Sequence, residues 1–173
     1  PDLVLIDPSV LKTLALRQID NGMAEMIKYG MIADKDLFEK ISTEDVLENI
    51  EFFIFRALEI KQKYVEADEF DNHLRQALNF GHTFGHAIEA YYDFKKYLHG
   101  EAVAIGMVRI TKNEVIKTAL IKVLQKYRLP TEDPVTDELL KSFLAKDKKN
   151  RGQVKYCVEV PEIGTSVIKP FTF

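Results

Sequence analysis

The sequence predicts a mostly α-helical fold, a multi-helix domain with minor short strands near its two ends, and three observations predict it. Val46, Ile50, Phe53, Ile54, Ala57 and Ile60 recur at the 3.6-residue period of a helix that packs one face. Ala102-Val103-Ala104-Ile105-Gly106-Met107-Val108 is apolar on every side, the pattern of a helix buried in the middle of a domain. Strand-like patterning is confined to the run Leu3-Val4-Leu5-Ile6 and to an alternating segment, residues 154–160.

Taken in order, Asp7-Pro8 supplies a cap and a first-turn proline for a short helix over residues 9–14. Asn21-Gly22 predicts a break before a helix over residues 23–31, where Met23, Met26, Ile27 and Gly30 keep helical spacing. Ser42-Thr43 followed by Glu44-Asp45 reads as a capping signal that starts a long helix running to residue 66. Residues 68–72 are polar and turn, and residues 74–91 predict another helix despite Gly81 and Gly85. Each interior glycine costs a helix about 1 kcal/mol relative to alanine, so two of them ask for close approach of another backbone or a ligand. A loop over 92–98 leads to the apolar helix at His99, and amphipathic stretches follow at 114–127 and 137–145. After the basic segment 146–151, residues 154–160 and 164–168 predict a small hairpin.

A chain of 173 residues buries roughly 70% of the surface it exposes unfolded, so residues 1–173 are read as a single domain. The net charge of −3 arises from 24 basic and 27 acidic side chains mixed along the chain, which leaves no electrostatic footprint for nucleic acid. Apolar runs fall short of the ~20 residues needed to span a bilayer, and no basic-then-apolar leader precedes them, so no membrane partner is expected. The single cysteine, Cys157, excludes an internal disulfide and fits a reducing compartment, hence a cytoplasmic reading; with no basic neighbour poised beside it, its role is structural. The chain opens on Pro1 without an initiator methionine, which reads as a piece of a longer protein. No glycine-rich phosphate loop follows a strand, so no dinucleotide site is expected in this chain.

His82 and His86 stand four residues apart, so their rings project from one helical face, a spacing that suits two ligands of one metal or a ligand beside an acid/base. A solvent-exposed polar face is the plainer reading of such a pair. On a helix wheel, Arg75, Asn79, His82, His86 and Glu89 form one ionisable stripe, and His99 opens the apolar helix where its ring can enter a shared cavity. His73 is read as a surface residue. Glu25 puts a carboxylate into the otherwise apolar Met23-Ala24-Glu25-Met26-Ile27-Lys28, where an unpaired charge is prohibitively costly; its partner is either a metal or Lys28 in an ordinary salt bridge. Lys28, Lys61, Arg75 and the run Lys146-Asp147-Lys148-Lys149 suit a cationic pocket for an anionic substrate, although each serves equally well as a solvated charge.

Gly22 to Lys28, Leu74-Arg75 with Leu78-Asn79-Phe80-Gly81-His82-Thr83-Phe84-Gly85-His86-Ala87-Ile88-Glu89, and Leu98-His99-Gly100-Glu101-Ala102-Val103-Ala104-Ile105-Gly106-Met107 together resemble the 3-dehydroquinate synthases, in that family's order and over nearly the whole chain. The resemblance implies the C-terminal, metal- and substrate-binding half of a lyase of the shikimate pathway, the route to aromatic amino acids. That enzyme converts 3-deoxy-D-arabino-heptulosonate 7-phosphate to 3-dehydroquinate and phosphate. It further implies Glu25, His82 and His99 as ligands of Zn2+ or Co2+, His86 as acid/base, and Lys28 as a catalytic and substrate-binding residue. Lys61, Arg75, Asn79, His86 and Lys148 are implied contacts of a small sugar phosphate, with Lys149 an alternative to Lys148. NAD is implied in an absent N-terminal half, the full-length protein as a homodimer, and this half alone as inactive. Between Met107 and Leu129 the chain is shorter than the family pattern, either through a trimmed loop or through residues left out of the sequence. Another sugar-phosphate cyclase such as 2-deoxy-scyllo-inosose synthase, a metal-dependent polyol dehydrogenase, and a non-catalytic metal-binding module are the competing readings.

Overall fold

Seven α-helices and one β-hairpin stand among the residues that this computed structural model of the protein describes, 3–71, 73–146 and 155–171. The first helix, α1 (Leu16–Ala33), buries Met23, Ala24, Ile27 and Met31 almost completely. It runs straight through Asn21-Gly22, where the sequence predicts a break. Gly22 costs the helix about 1 kcal/mol, whereas each buried Met or Ile contributes roughly 1.5–3 kcal/mol, so packing decides. Asn21 serves a distant element, because its Oδ1 accepts the Gly100 N–H at 2.6 Å and so satisfies a free donor at the start of another helix.

Asp34 caps α2 (Lys35–Thr43) by accepting the Leu37 N–H. Ser42 and Thr43 end this helix instead of starting the next, because both hydroxyls donate back to the Glu39 carbonyl, at 2.7 and 2.8 Å. A 3-10 turn over Val46–Asn49, capped by Asp45, then leads into α3 (Ile50–Ala67), which buries Phe53, Ala57 and Ile60.

The helix predicted over 74–91 is two elements. Leu74–Asn79 is a 3-10 helix, the chain turns at Phe80-Gly81 with Gly81 at φ +79°, and α4 (His82–Tyr91) starts there. A Cβ on Gly81 would stand 2.7 Å from the Val103 carbonyl oxygen, so conformation and space both demand glycine. Beyond the 92–98 loop, α5 (His99–Ile110) is buried from Gly100 to Val108, as its all-round apolar sequence predicts. Its crossing with α4 is so close that a Cβ on Gly106 would fall 2.0 Å from the Gly81 carbonyl oxygen. Close approach of another backbone is therefore what the glycines serve.

Only Thr111-Lys112-Asn113 joins α5 to α6 (Glu114–Lys126), and Asn113 caps it; α7 (Asp137–Lys146) follows. Strands β1 (Lys155–Glu159) and β2 (Val167–Phe171) pair antiparallel, with Cys157 opposite Lys169. The second strand begins later than predicted because Gly164 gives its N–H to the Met31 carbonyl at 2.9 Å, in a turn that docks the hairpin on α1. Cys157 is buried and unreactive in setting: burial pushes its thiol up. The run Leu3-Val4-Leu5-Ile6 has no strand partner among the described residues and its side chains are 45–88% exposed. A strand is made by its ladder, and none is present to receive it. No described helix is long and apolar enough to cross a membrane.

Gly106→Ala is expected to cost about 3 kcal/mol, since the contacting atoms are backbone and the helices must separate. Urea unfolding checks this; a midpoint unchanged from the parent would mean that the α4–α5 crossing has room to spare.

Candidate metal centre

Three helices converge on one cluster of donors. From α1 come Glu25 and Lys28, from α4 His82, His86 and Glu89, and from the first turn of α5 comes His99. One ligand atom from each of Glu25, His82 and His99 lies within 4.8 Å of the other two. The three imidazoles form a triangle with centroids 5.2 Å (His82–His99), 5.5 Å (His82–His86) and 5.8 Å (His86–His99) apart.

The hydrogen bonds assign the protons. His82 Nδ1 lies 3.1 Å from the Phe80 carbonyl oxygen, an acceptor only, so Nδ1 carries the hydrogen and Nε2 a bare lone pair. Burial pushes the His82 pKa down to about 4, Lys28 adds to the fall, and Glu25 opposes it; the ring is neutral at pH 7. Its Nε2 faces Glu25 Oε1 at 3.5 Å, and that buried oxygen has no hydrogen-bond donor among the described residues. Burial is the largest influence on the Glu25 carboxyl and works to raise it, yet Lys28, His82 and His99 together outweigh it and hold the group below the ordinary carboxylate range. Two lone pairs therefore face each other with no proton between them. A tetrahedral ion with bonds of about 2.05 Å separates its ligands by about 3.4 Å, so this gap fits a divalent cation of zinc size. His99 makes a comparable contact: its Nδ1 is 3.1 Å from Glu89 Oε1, so the hydrogen sits on Nδ1 and the neutral ring would present Nε2 to an ion.

Glu25 uses its two oxygens differently, and the Lys28 salt bridge is one of the two uses. Oε2 accepts from Lys28 Nζ at 2.6 Å while Oε1 faces His82. Lys28 is 2% exposed, and burial pushes its pKa down against the pull of Glu25, with Lys61 pushing the same way. Lys61 thus lies within electrostatic reach of the cluster, itself exposed on α3. Arg75 and Asn79 do not share a helix stripe with His82, because the turn at Gly81 separates the 3-10 helix from α4. Arg75 donates through Nη1 to the Glu69 carbonyl at 2.9 Å. His73 is exposed, as expected. Lys148 lies outside the described residues. Glu89 stood on the predicted stripe without a role, and its partner His99 comes from another helix.

Asp133 had no sequence signal. Its buried carboxylate accepts from Tyr97 Oη at 2.7 Å, Lys96 Nζ at 2.8 Å, Tyr92 Oη at 3.1 Å and the Val135 N–H at 2.8 Å. These bonds clamp the loop that delivers His99. Burial alone would raise the Asp133 pKa, but Lys96, Tyr97, Val135 and Tyr92 hold it at about 2.

The fold matches 2-epi-5-epi-valiolone synthase from Streptomyces hygroscopicus subsp. jinggangensis 5008, solved with NAD+ and Zn2+ bound, over 98% of this chain and 51% of that one (TM-score 0.86, 26% identity). It also matches 2-deoxy-scyllo-inosose synthase, solved with carbaglucose-6-phosphate, NAD+ and Co2+, over 94% and 51% (TM-score 0.76, 21% identity), a likeness of fold. The fold is thus one that these two synthases share. Residues 22–150 match the family described as 3-dehydroquinate synthase C-terminal, and the chain belongs to that family. The 3-dehydroquinate synthase of Lactococcus lactis subsp. cremoris (strain MG1363) is 47% identical over 188 aligned positions that cover all of this chain and 53% of the relative. The chain spans about half the length of the curated relatives it matches. The alignment exceeds the chain's 173 residues, so the relative carries residues this chain lacks.

Because the Asp133 pKa of about 2 lies below its unfolded value, its stabilisation is complete above about pH 5 and is lost as pH falls toward 2. Asp133→Asn should cost about 2 kcal/mol at pH 7 and progressively less toward pH 2. Thermal or urea melts across that window check it, and parallel pH dependences for parent and variant would refute it.

Proposed function

We propose that this chain is the metal- and substrate-binding half of a 3-dehydroquinate synthase, a lyase of the shikimate pathway that forms 3-dehydroquinate and phosphate from 3-deoxy-D-arabino-heptulosonate 7-phosphate. The observation that carries the reading is the convergence of Glu25, His82 and His99, with two bare lone pairs 3.5 Å apart, in a family member 47% identical along its whole length to a protein of that name. Residues 1–173 would act as a single domain, with NAD in the other half, in a cytoplasmic homodimer.

Glu25, His82 and His99 would hold Zn2+ or Co2+. When bound, the ion supplies Lewis acidity that eases ionisation of a substrate hydroxyl and polarises a ketone, while NAD carries the hydride. Lys28 gives one N–H to Glu25 and keeps two for substrate oxygens, in a setting where burial strengthens each bond. Lys61, Arg75, Asn79 and Lys148 would hold the phosphate, carboxylate and hydroxyl groups and so align each step. His86, whose ring stands beside both ligand histidines, would take and return the substrate proton. A cyclase acting on another sugar phosphate is the second reading, favoured by the fold match to 2-epi-5-epi-valiolone synthase.

The full-length protein with Zn2+ and NAD is expected to release phosphate from the heptulosonate phosphate, and His86→Ala to slow it by about 10²–10⁴-fold. This chain alone with NAD should give no turnover. Phosphate release from a different sugar phosphate only would move the substrate assignment to the second reading, and an unaffected His86→Ala would remove the proton-transfer role.

A further inference from the structure

Two overlapping donor sets share His99: Glu25 with His82, and His86 with Glu89. We propose that Glu89 is a positioning residue, not a ligand: it holds the His99 ring with the hydrogen on Nδ1, so that Nε2 is offered to the ion between Glu25 and His82. The inference rests on the metal-centre reading above and deepens it.

His82 and His99 are held very differently. The His82 side chain is 13% exposed and tethered to a backbone carbonyl, so burial alone restricts its ring. The His99 side chain is 45% exposed at the first position of α5, and its ring is anchored by the Glu89 carboxylate, only 10% exposed. Without that anchor, little in the packing selects one ring orientation or one tautomer. Glu89 reaches it because His82, His86 and Glu89 recur at helical spacing on one face of α4, which packs against α5. A carboxylate at this place also complements the positive end of the α5 dipole.

Glu89 as ligand is the poorer arrangement. If the ion sat among His86, Glu89 and His99, the Glu89 carboxylate would be shared between the metal and the His99 hydrogen, and the anchor of the ring would weaken. Glu25 Oε1 would then stay buried without a donor, a cost of roughly 1–3 kcal/mol. With the ion on Glu25, His82 and His99, every one of these groups is satisfied, and each ligand imidazole donates its second nitrogen's hydrogen to a fixed acceptor, as metal-bound histidines generally do.

The test uses the full-length protein, with Co2+ titrated against a competing chelator and followed by its visible absorption. Glu89→Ala is expected to weaken Co2+ binding about 10–100-fold. Glu89→Gln should lose less than about 10-fold, because its amide oxygen still accepts the Nδ1 hydrogen. In the metal-free protein, 15N spectra of labelled histidine should show His99 as the Nδ1–H tautomer in the parent and in Glu89→Gln, and a mixture in Glu89→Ala. Should Glu89→Ala fail to fold, the glutamine variant alone decides through tautomer and affinity. Parent-like affinity in Glu89→Ala, a changed His99 tautomer in Glu89→Gln with undiminished affinity, or loss of Co2+ binding in Glu89→Ala but not in Glu25→Ala would each overturn the proposal. If Glu25→Ala and His82→Ala both bind Co2+ like the parent, the metal-centre reading itself has failed, which is a separate result.

Discussion

The backbone contact between α4 and α5 is the constraint from which the candidate centre follows. Gly106 lies where any side chain would enter the Gly81 carbonyl, so the two helices approach as near as their main chains permit. His82 begins one of these helices and His99 the other, and each added ångström between the axes would widen the gap between their rings. The three donors lie within 4.8 Å of one another, and ligands of a tetrahedral ion stand about 3.4 Å apart. Little slack remains, and side-chain rotation can close only a modest difference. The glycines therefore set distance as well as chain direction.

Charge placement follows from the same compactness. Taking Lys28 and Glu25 out of water costs several kcal/mol for each ion, and their mutual attraction at 2.6 Å recovers this only when the remaining lone pairs and hydrogens also find partners. One oxygen of Glu25 is satisfied by Lys28; the other is aimed at a deprotonated nitrogen. As a stability device that arrangement is poor, because a well-packed apolar pair would do as well or better. As a binding device it is economical, since both the orphaned oxygen and the bare nitrogen are in the protonation state a cation requires.

Much of this was legible in the sequence because it depends on local pattern. The apolar run after Ala102, the period of α3 and the spacing of His82, His86 and His99 each survive folding unchanged. The misreadings share a cause: a local signal met a distant partner. Asn21-Gly22 looks like a break until Asn21 is seen accepting the Gly100 N–H from α5. Ser42 and Thr43 look like caps, but their hydroxyls find Glu39 behind them before any amide ahead. Residues 74–91 look like one helix, because periodicity does not register that the crossing with α5 turns the chain at Gly81. Asp133 acts on the 92–99 segment from another element with no spacing to announce it, and Glu89, which spacing put on the stripe, shows what it does only once His99 is seen beside it.

The same logic shows how far the α5–α6 joint stands from the candidate centre. The three-residue joint between α5 and α6 sits beyond Ile110, eleven residues from His99 along α5, which at 1.5 Å per residue is about 16 Å from the candidate ligand. At its other end α5 is secured independently: Arg17 pairs bidentately with Glu101, Asn21 takes the Gly100 N–H, and Glu101 takes the Leu98 N–H. Arg109 fastens the far end to the Asp133 and Val135 carbonyls. The position of His99 is therefore fixed by contacts that do not involve the joint. Deletion at the His99 end would have no such insulation, because the loop clamped by Asp133 leads directly into the candidate ligand.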